Sequence, residues 1–197
     1  MIEFQFTGGV LDGYWQCGDI RAKTYKELEE RVHNEVQYFF IDNVDKLEGK
    51  VLEVGSYNVN GSLKKLIPHR VGTDMRAGPE VDIVCNAEDL RKHFDAESFD
   101  AVISTETLEH IKDWRAAVTA MWEVLKTQGW LIITMASVNK GRHAYPDDYW
   151  RMLPEHVLRI FPDAENVGEI GRISLGWTVQ KKRALPDLSA IELIPVP

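Results

Sequence analysis

The chain has 197 residues, 44% of them hydrophobic and 27% charged, the composition of an ordinary globular protein rather than a disordered, collagenous or disulfide-rich one. Its formal charge of −8 argues against a dedicated nucleic-acid module, which usually carries a basic surplus. No apolar run approaches the ~18 residues needed to span a bilayer, and Cys17 and Cys85 stand apart from any C-x-x-C pattern. The expected setting is therefore a reducing cytoplasm without membrane attachment, and the N-terminus lacks the basic-then-apolar order of a secretory signal.

The lead-in, residues 2–16, carries Gly8-Gly9 and Asp12-Gly13, turn dipeptides that suggest a hairpin or irregular start. Residues 20–41 read as an amphipathic helix, because Tyr25, Leu28, Val32, Val36 and Phe39 recur at spacings of three and four. Thr24 with Glu27 forms a capping-box pattern that would start it a turn later. From residue 50 short apolar runs alternate with helical stretches. Strands are expected at 51–54, 70–73, 81–84, 99–104 and 130–135, and helices near 61–67, at 113–126 and at 154–160. The 113–126 helix would bury Trp114, Ala117, Val118, Met121 and Leu125. Runs 164–170 and 173–181 lie too close for a helical crossover and predict an antiparallel hairpin at a sheet edge. The alternation defines an α/β fold with a doubly wound, mostly parallel sheet. One domain is expected, with a lead-in and helix over 1–48, a core over 49–183 and a tail over 184–197.

Ligands of such sheets bind beyond the carboxyl ends of the strands. The first expected strand runs into Glu53-Val54-Gly55-Ser56-Tyr57-Asn58-Val59-Asn60-Gly61. Glycine there lets the backbone approach a ligand closely. Asp74, at the end of the second strand, is placed to accept both hydroxyls of a ribose. The glycine spacing is not the G-x-G-x-x-G of dinucleotide enzymes, which counts against a nicotinamide dehydrogenase.

Residues 50–135 resemble the class I S-adenosylmethionine-dependent methyltransferases of the small-molecule type. The resemblance rests on Val51-Leu52-Glu53-Val54-Gly55-Ser56, Val71-Gly72-Thr73-Asp74-Met75 and Asn86-Ala87-Glu88-Asp89-Leu90. It continues through Ser98-Phe99-Asp100-Ala101-Val102-Ile103, Glu106-Thr107-Leu108-Glu109-His110 and Trp122-Glu123-Val124-Leu125-Lys126. It implies a seven-stranded Rossmann-like sheet with a reversed last strand, and S-adenosyl-L-methionine as cofactor. It places Glu53, Gly55, Ser56 and Gly61 along the methionine and sugar part. Asp74 would hold the ribose, Met75 the adenine face, Asn86 and Ala87 the adenine edge, and Ser104 and Thr105 the sulfonium end. One departure is Thr127-Gln128-Gly129, where the family usually has Pro-Gly-Gly.

Two segments offer acceptor chemistry. Glu109-His110 follows the fourth strand, and a histidine there is a candidate acid–base group. The loop Asn139 to Arg151 follows the fifth strand and concentrates His, Asp, Tyr, Trp and Arg where function tends to sit. It is similar to the His-x-Tyr-Pro-x-Asp-Tyr-Trp-Arg segment of bacterial methyltransferases associated with sugar and glycan modification. Where those proteins have a helix-capping Thr before the next Pro, this chain has Leu153. His143 is the expected base or acceptor-orienting group, with His110 as second candidate. Tyr145, Asp148, Trp150 and Arg151 would shape the acceptor pocket, against the alternative that Trp150 and Arg151 form a structural corner.

No H-x-x-x-H, C-x-x-C or Asp-rich calcium loop is present, so no metal is expected. The reading is a methyltransferase acting on a small polar acceptor, chiefly on oxygen of a sugar or other metabolite. The alternatives are a non-catalytic cofactor-binding scaffold and a nucleic-acid methyltransferase. Ser104-Thr105-Glu106-Thr107 lacks the Asn/Asp-Pro-Pro-aromatic run of amino-methylating DNA enzymes, and no Pro-Cys nucleophile exists. Lys64-Lys65 and Lys181-Lys182-Arg183 are small basic spots. Residues 1–41 could form a lid or pack on the sheet. The apolar tail, with Ile191, Leu193, Ile194 and Val196, reads either as a packed arm or as a partner contact such as a homodimer.

Overall fold

The computed structural model describes residues 34–59, 61–143 and 147–197, together with the backbone of four short strand segments between residues 6 and 22. Seven strands form the main sheet. They are β1 (Val51–Val54), β2 (Val71–Asp74), β3 (Ile83–Val84), β4 (Phe99–Thr105), β5 (Leu125–Ala136), β6 (Glu165–Ile170) and β7 (Ser174–Gln180). Their order across the sheet is β6-β7-β5-β4-β1-β2-β3. Pairings from β3 to β5 are parallel, whereas β7 runs antiparallel to both β5 and β6. The hairpin expected at one edge is therefore the β6–β7 pair, turned at Gly171 with φ +60°.

Strand alternation sends side chains to two cores. Leu52, Val54, Val102, Leu131 and Ile133 face helix α2 (Trp114–Val124) and helix α3 (Pro154–Ile160). Val51, Ala101, Ile103 and Ile132 face helix α1 (Asn34–Asp42) and its buried Val36, Phe40 and Ile41. Burial on both faces is why β1, β4 and β5 read as continuous apolar runs. Asp113 caps α2 by accepting the Ala116 N–H at 3.1 Å. Leu153 has no acceptor to cap α3. The reverse half of a capping box remains, since its N–H donates to His156 Nδ1 at 3.0 Å.

Two helix expectations change, and two open points are settled. The helix over 20–41 does not begin at residue 20, because Ile20–Ala22 pair in a ribbon with Trp15–Cys17. Only Asn34–Asp42 is helical among the described residues, and this part packs on the sheet. The helix near 61–67 is a single turn, in which Leu66 and Ile67 N–H groups donate to the Leu63 carbonyl. Pro68 and the need to bury Leu63, Leu66 and Ile67 leave no room for a second turn. The Thr127-Gln128-Gly129 turn puts the left-handed position on Gln128, φ +67°, and its N–H donates to Lys181 O at 2.8 Å. The tail is a packed arm: Leu188, Ile191 and Leu193 are buried in the α2 core. Arg115 donates to the Leu188 and Ile191 carbonyls, and Ile194–Pro195 pairs with Trp150–Arg151.

Candidate active site

A cleft of about 510 Å³ opens at the carboxyl ends of β1, β2 and β4, the position where doubly wound sheets take ligands. Its two ends are built differently.

At one end the chain leaves β1 through Gly55, whose φ is +84°. A Cβ there would lie 2.1 Å from Thr107 Oγ1, so only glycine permits this crossing of two strand-end loops. The Gly55 and Ser56 N–H groups both donate to Thr73 O, at 2.8 and 2.9 Å, and Ser56 Oγ donates to Glu80 O at 3.1 Å. Asp74 is fixed by the backbone N–H groups of Tyr57 (3.3 Å) and Arg76 (3.0 Å), one to each oxygen. Each carboxylate oxygen keeps acceptor capacity. Met75, 56% exposed, and Asn86 and Ala87 line the same end, as do Glu53 and Gly61.

Glu53 also points into a buried ionic cluster, paired with Arg70, which holds Glu80 at 2.6 Å. Burial pushes the Glu53 carboxyl up to about 7 against the charge of Arg70. Glu80 additionally accepts from Ser62 (2.5 Å) and Asn58 (3.0 Å), tying the whole 56–62 loop to the β2–β3 connection. Arg70 and Glu80 had no sequence signal, because this pairing depends on sheet order.

Ser104 does not reach the cleft. It is fully buried and its Oγ donates to Val54 O at 3.0 Å, stitching β4 to β1. Strand alternation turns the neighbouring Thr105 toward the opening, and Thr105 lines the cleft.

The other end is formed by the turn after β4 and the loop after β5, with Glu106, His110, Lys140, His143 and Tyr149 on its wall. Glu106 sits in the left-handed region at φ +46°, a costly state for a non-glycine residue that tends to occur at functional sites. Both of its carboxylate oxygens are buried without hydrogen-bond partners. Its nearest cation is Lys140 Nζ, at 3.6 Å. Glu109 is fully buried. Its Oε1 accepts the Ala136 N–H at 3.2 Å, and burial and the adjacent Glu106 charge push its carboxyl up to about 8.

His143 lies over this carboxyl, its Nε2 3.9 Å from Glu109 Oε1, and its other ring nitrogen, Nδ1, is 2.9 Å from Asp148 Oδ2. The His143 backbone N–H donates to the same Asp148 oxygen at 2.9 Å, so this carboxylate fixes the backbone and lies in ion-pair range of the ring, whose Nδ1 has no hydrogen-bond partner. A carboxylate beside Nδ1 favours the proton there and leaves Nε2 as the acceptor. Burial lowers the His143 pKa below its ordinary value, which keeps the ring neutral near pH 7. His110 packs edge-on against His143, ring centroids 4.8 Å apart, with Nδ1–H donating to Asp147 O at 2.5 Å.

Asp148, Trp150 and Arg151 do not line the cleft. Arg151 grips Asp148 through two nitrogens (2.5 and 2.7 Å) and donates to the Lys140 and Gly141 carbonyls. This pairing holds the Asp148 carboxyl at about 2 despite its burial. Trp150 Nε1 donates to the Ile111 and Lys112 carbonyls. These residues shape the loop from beneath rather than contacting an acceptor, and Tyr145 lies outside the described residues. Glu106, Lys140 and Tyr149 join the wall instead. The available signal for Glu106 was its place directly after β4, at the mouth of a central strand.

A family model described as a methyltransferase domain matches residues 64–133. No curated protein matches the chain. Among solved structures, a SAM-dependent methyltransferase from Archaeoglobus fulgidus is similar over 74% of this chain and 93% of its own, with TM-score 0.55 and 12% identity. Another from Aquifex aeolicus covers 80% and 96%, with TM-score 0.55 and 15% identity. The Burkholderia thailandensis 1,6-didemethyltoxoflavin-N1-methyltransferase, solved with S-adenosylhomocysteine, covers 77% and 78%, with TM-score 0.59 and 13% identity. Residues 64–133 thus match a methyltransferase domain, and the chain shares the Rossmann-like fold of these solved structures. S-adenosyl-L-methionine is the cofactor such a domain takes, and the Gly55 crossing and the held Asp74 carboxylate fit it.

Proposed function

We propose that the chain transfers a methyl group to an oxygen of a small polar acceptor, a sugar or similar metabolite, bound at the His143 end of the cleft. The observation that carries this reading is His143, with Asp148 against Nδ1 and Nε2 free on the cleft wall. When bound, the cofactor supplies a methyl group already activated as a sulfonium. What remains for the protein is alignment, worth about 7–11 kcal/mol in favourable cases, and removal of the acceptor hydroxyl proton, worth roughly 10²–10⁴-fold.

Asp74 and the 55–61 loop hold the sugar and methionine parts, while Met75, Asn86 and Ala87 cover the base. Neutral His143 accepts the acceptor proton at Nε2, and Asp148 stabilises the imidazolium that forms. The buried Arg151 grip keeps Asp148 ionised for that role. Lys140, Tyr149 and Glu106 offer donors and acceptors to a polar substrate. A wall containing Glu106, in a chain of charge −8, favours a neutral or cationic acceptor over a polyanion such as nucleic acid.

His143→Gln should leave S-adenosylhomocysteine affinity within about twofold while lowering turnover ~10²–10⁴-fold, measured by calorimetry and by transfer of labelled methyl to a panel of sugars and hydroxylated metabolites. Loss of cofactor binding in step with turnover would make His143 a structural residue and remove the base assignment.

A further inference from the structure

Glu109, His110 and His143 come together although 33 residues separate the two histidines. One ligand atom from each lies within 4.8 Å of the others. The arrangement differs from an incidental cluster in three ways. First, both imidazoles turn their Nδ1 edge toward an oxygen, hydrogen-bonded for His110 and in ion-pair range only for His143. His110 Nδ1–H donates to the Asp147 carbonyl, and His143 Nδ1 is set against the Asp148 carboxylate. A carbonyl or carboxylate on the far nitrogen is the outer-shell pattern that orients metal-ligating histidines. Second, both Nε2 atoms lie 3.9 Å from the same oxygen, Glu109 Oε1. Third, Glu109 is fully buried and its other oxygen has no hydrogen-bond partner, a cost that a bound cation would offset.

We propose that Glu109, His110 and His143 form a binding site for a divalent transition-metal ion of the zinc class, opening on the cleft. Two imidazoles and one carboxylate suit Zn²⁺, Co²⁺ or Fe²⁺ better than Mg²⁺ or Ca²⁺, which prefer oxygen ligands. Three protein ligands leave at least one position for water or an acceptor oxygen. At metal–ligand bonds of about 2.0–2.1 Å, tetrahedral ligand atoms stand ~3.4 Å apart. The two 3.9 Å separations from Glu109 thus need side-chain contraction of about half an ångström, and the third, within 4.8 Å, up to about 1.4 Å. The carboxylates of Glu106 and Asp148 add negative charge around the site, and Lys140, 3.6 Å from Glu106, is the cation that opposes it. The inference rests on the same cleft reading and assigns His143 Nε2 to the ion, rather than to a proton, whenever the ion is present.

The test is titration of chelator-stripped full-length protein with Co²⁺, read by visible absorption, and with Zn²⁺, read by calorimetry. One equivalent should bind per chain with ligand-field bands in the visible, and millimolar Mg²⁺ should not displace it. His110→Gln and Glu109→Gln should each weaken Co²⁺ at least tenfold, with thermal melts showing both variants folded. Absence of one-equivalent binding, or binding indifferent to both substitutions, overturns the proposal. The cofactor reading is tested separately by S-adenosylhomocysteine calorimetry on the same stripped protein. Either can fail without the other.

Discussion

The two ends of the cleft obey opposite rules. At the β1–β2 end three carboxylates have fixed partners: Asp74 takes two backbone N–H groups, while Glu53 and Glu80 share Arg70. At the β4–β5 end Glu106 has no hydrogen-bond partner on either oxygen and Glu109 none on one. An unsatisfied buried polar group costs about 1–3 kcal/mol, more when charged. Such groups persist where a ligand completes them. The first end is thus a finished cradle for one unchanging ligand, whereas the second is a set of unspent donors and acceptors awaiting an acceptor molecule, a proton or an ion.

This contrast can be broken at three points. The largest effect should come from Asp148→Ala, which leaves the Arg151 guanidinium buried and unpaired and frees the His143 ring. A loss of about 3–5 kcal/mol is expected, measured by urea denaturation. A change under 1 kcal/mol would mean that the 147–151 corner does not depend on this pair. Next, Asp74→Ala removes the carboxylate without disturbing a core group. It should weaken S-adenosylhomocysteine about tenfold or more, on the order of 1.4 kcal/mol, and an unchanged isotherm would remove the ribose assignment.

The smallest effect is a pH dependence. Glu109 has a folded pKa of about 8 against an ordinary value of 4.5. Between those values the folded state keeps a proton that the unfolded state has released, so stability falls as pH rises through this window and levels off above it. Glu109→Gln lacks that decline. In chelator, its stability relative to the parent should improve by about 1 kcal/mol or more from pH 5 to pH 8. Parallel pH profiles would show that the Glu109 carboxyl is not held protonated.

Legibility in the sequence follows how local each feature is. The strand–glycine–acidic pattern around Glu53, Gly55 and Asp74 spans one βα unit, and residue order alone placed it at the strand ends. Ser104 was misassigned because period-two alternation determines which of two adjacent hydroxyls faces out, and the absolute phase depends on the packing of β4 against β1. Trp150 and Arg151 looked like pocket residues from composition. The tail strand Ile194–Pro195 and the Asp148 carboxylate draw them inward, and the tail contact is far from local. The helix expected from residue 20 reaches beyond its periodic residues, the first of which is Tyr25, and residues 20–22 pair in a ribbon with Trp15–Cys17 instead.

Sequence by itself determined the alternating α/β order, the sheet hairpin at the end and the cofactor loop, because these depend on hydrophobic period, turn chemistry and spacing within single units. It also bounded the chemistry through a charge of −8 and two separate histidine-bearing segments. Only the tertiary structure decided that His110 and His143 share one carboxyl, that Glu106 joins them, and that Asp148 orients the ring from behind. The contacts of His143 with Glu109 and of Lys140 with Glu106 link distant chain positions, and they form where the ends of β4 and β5 come side by side in the folded sheet.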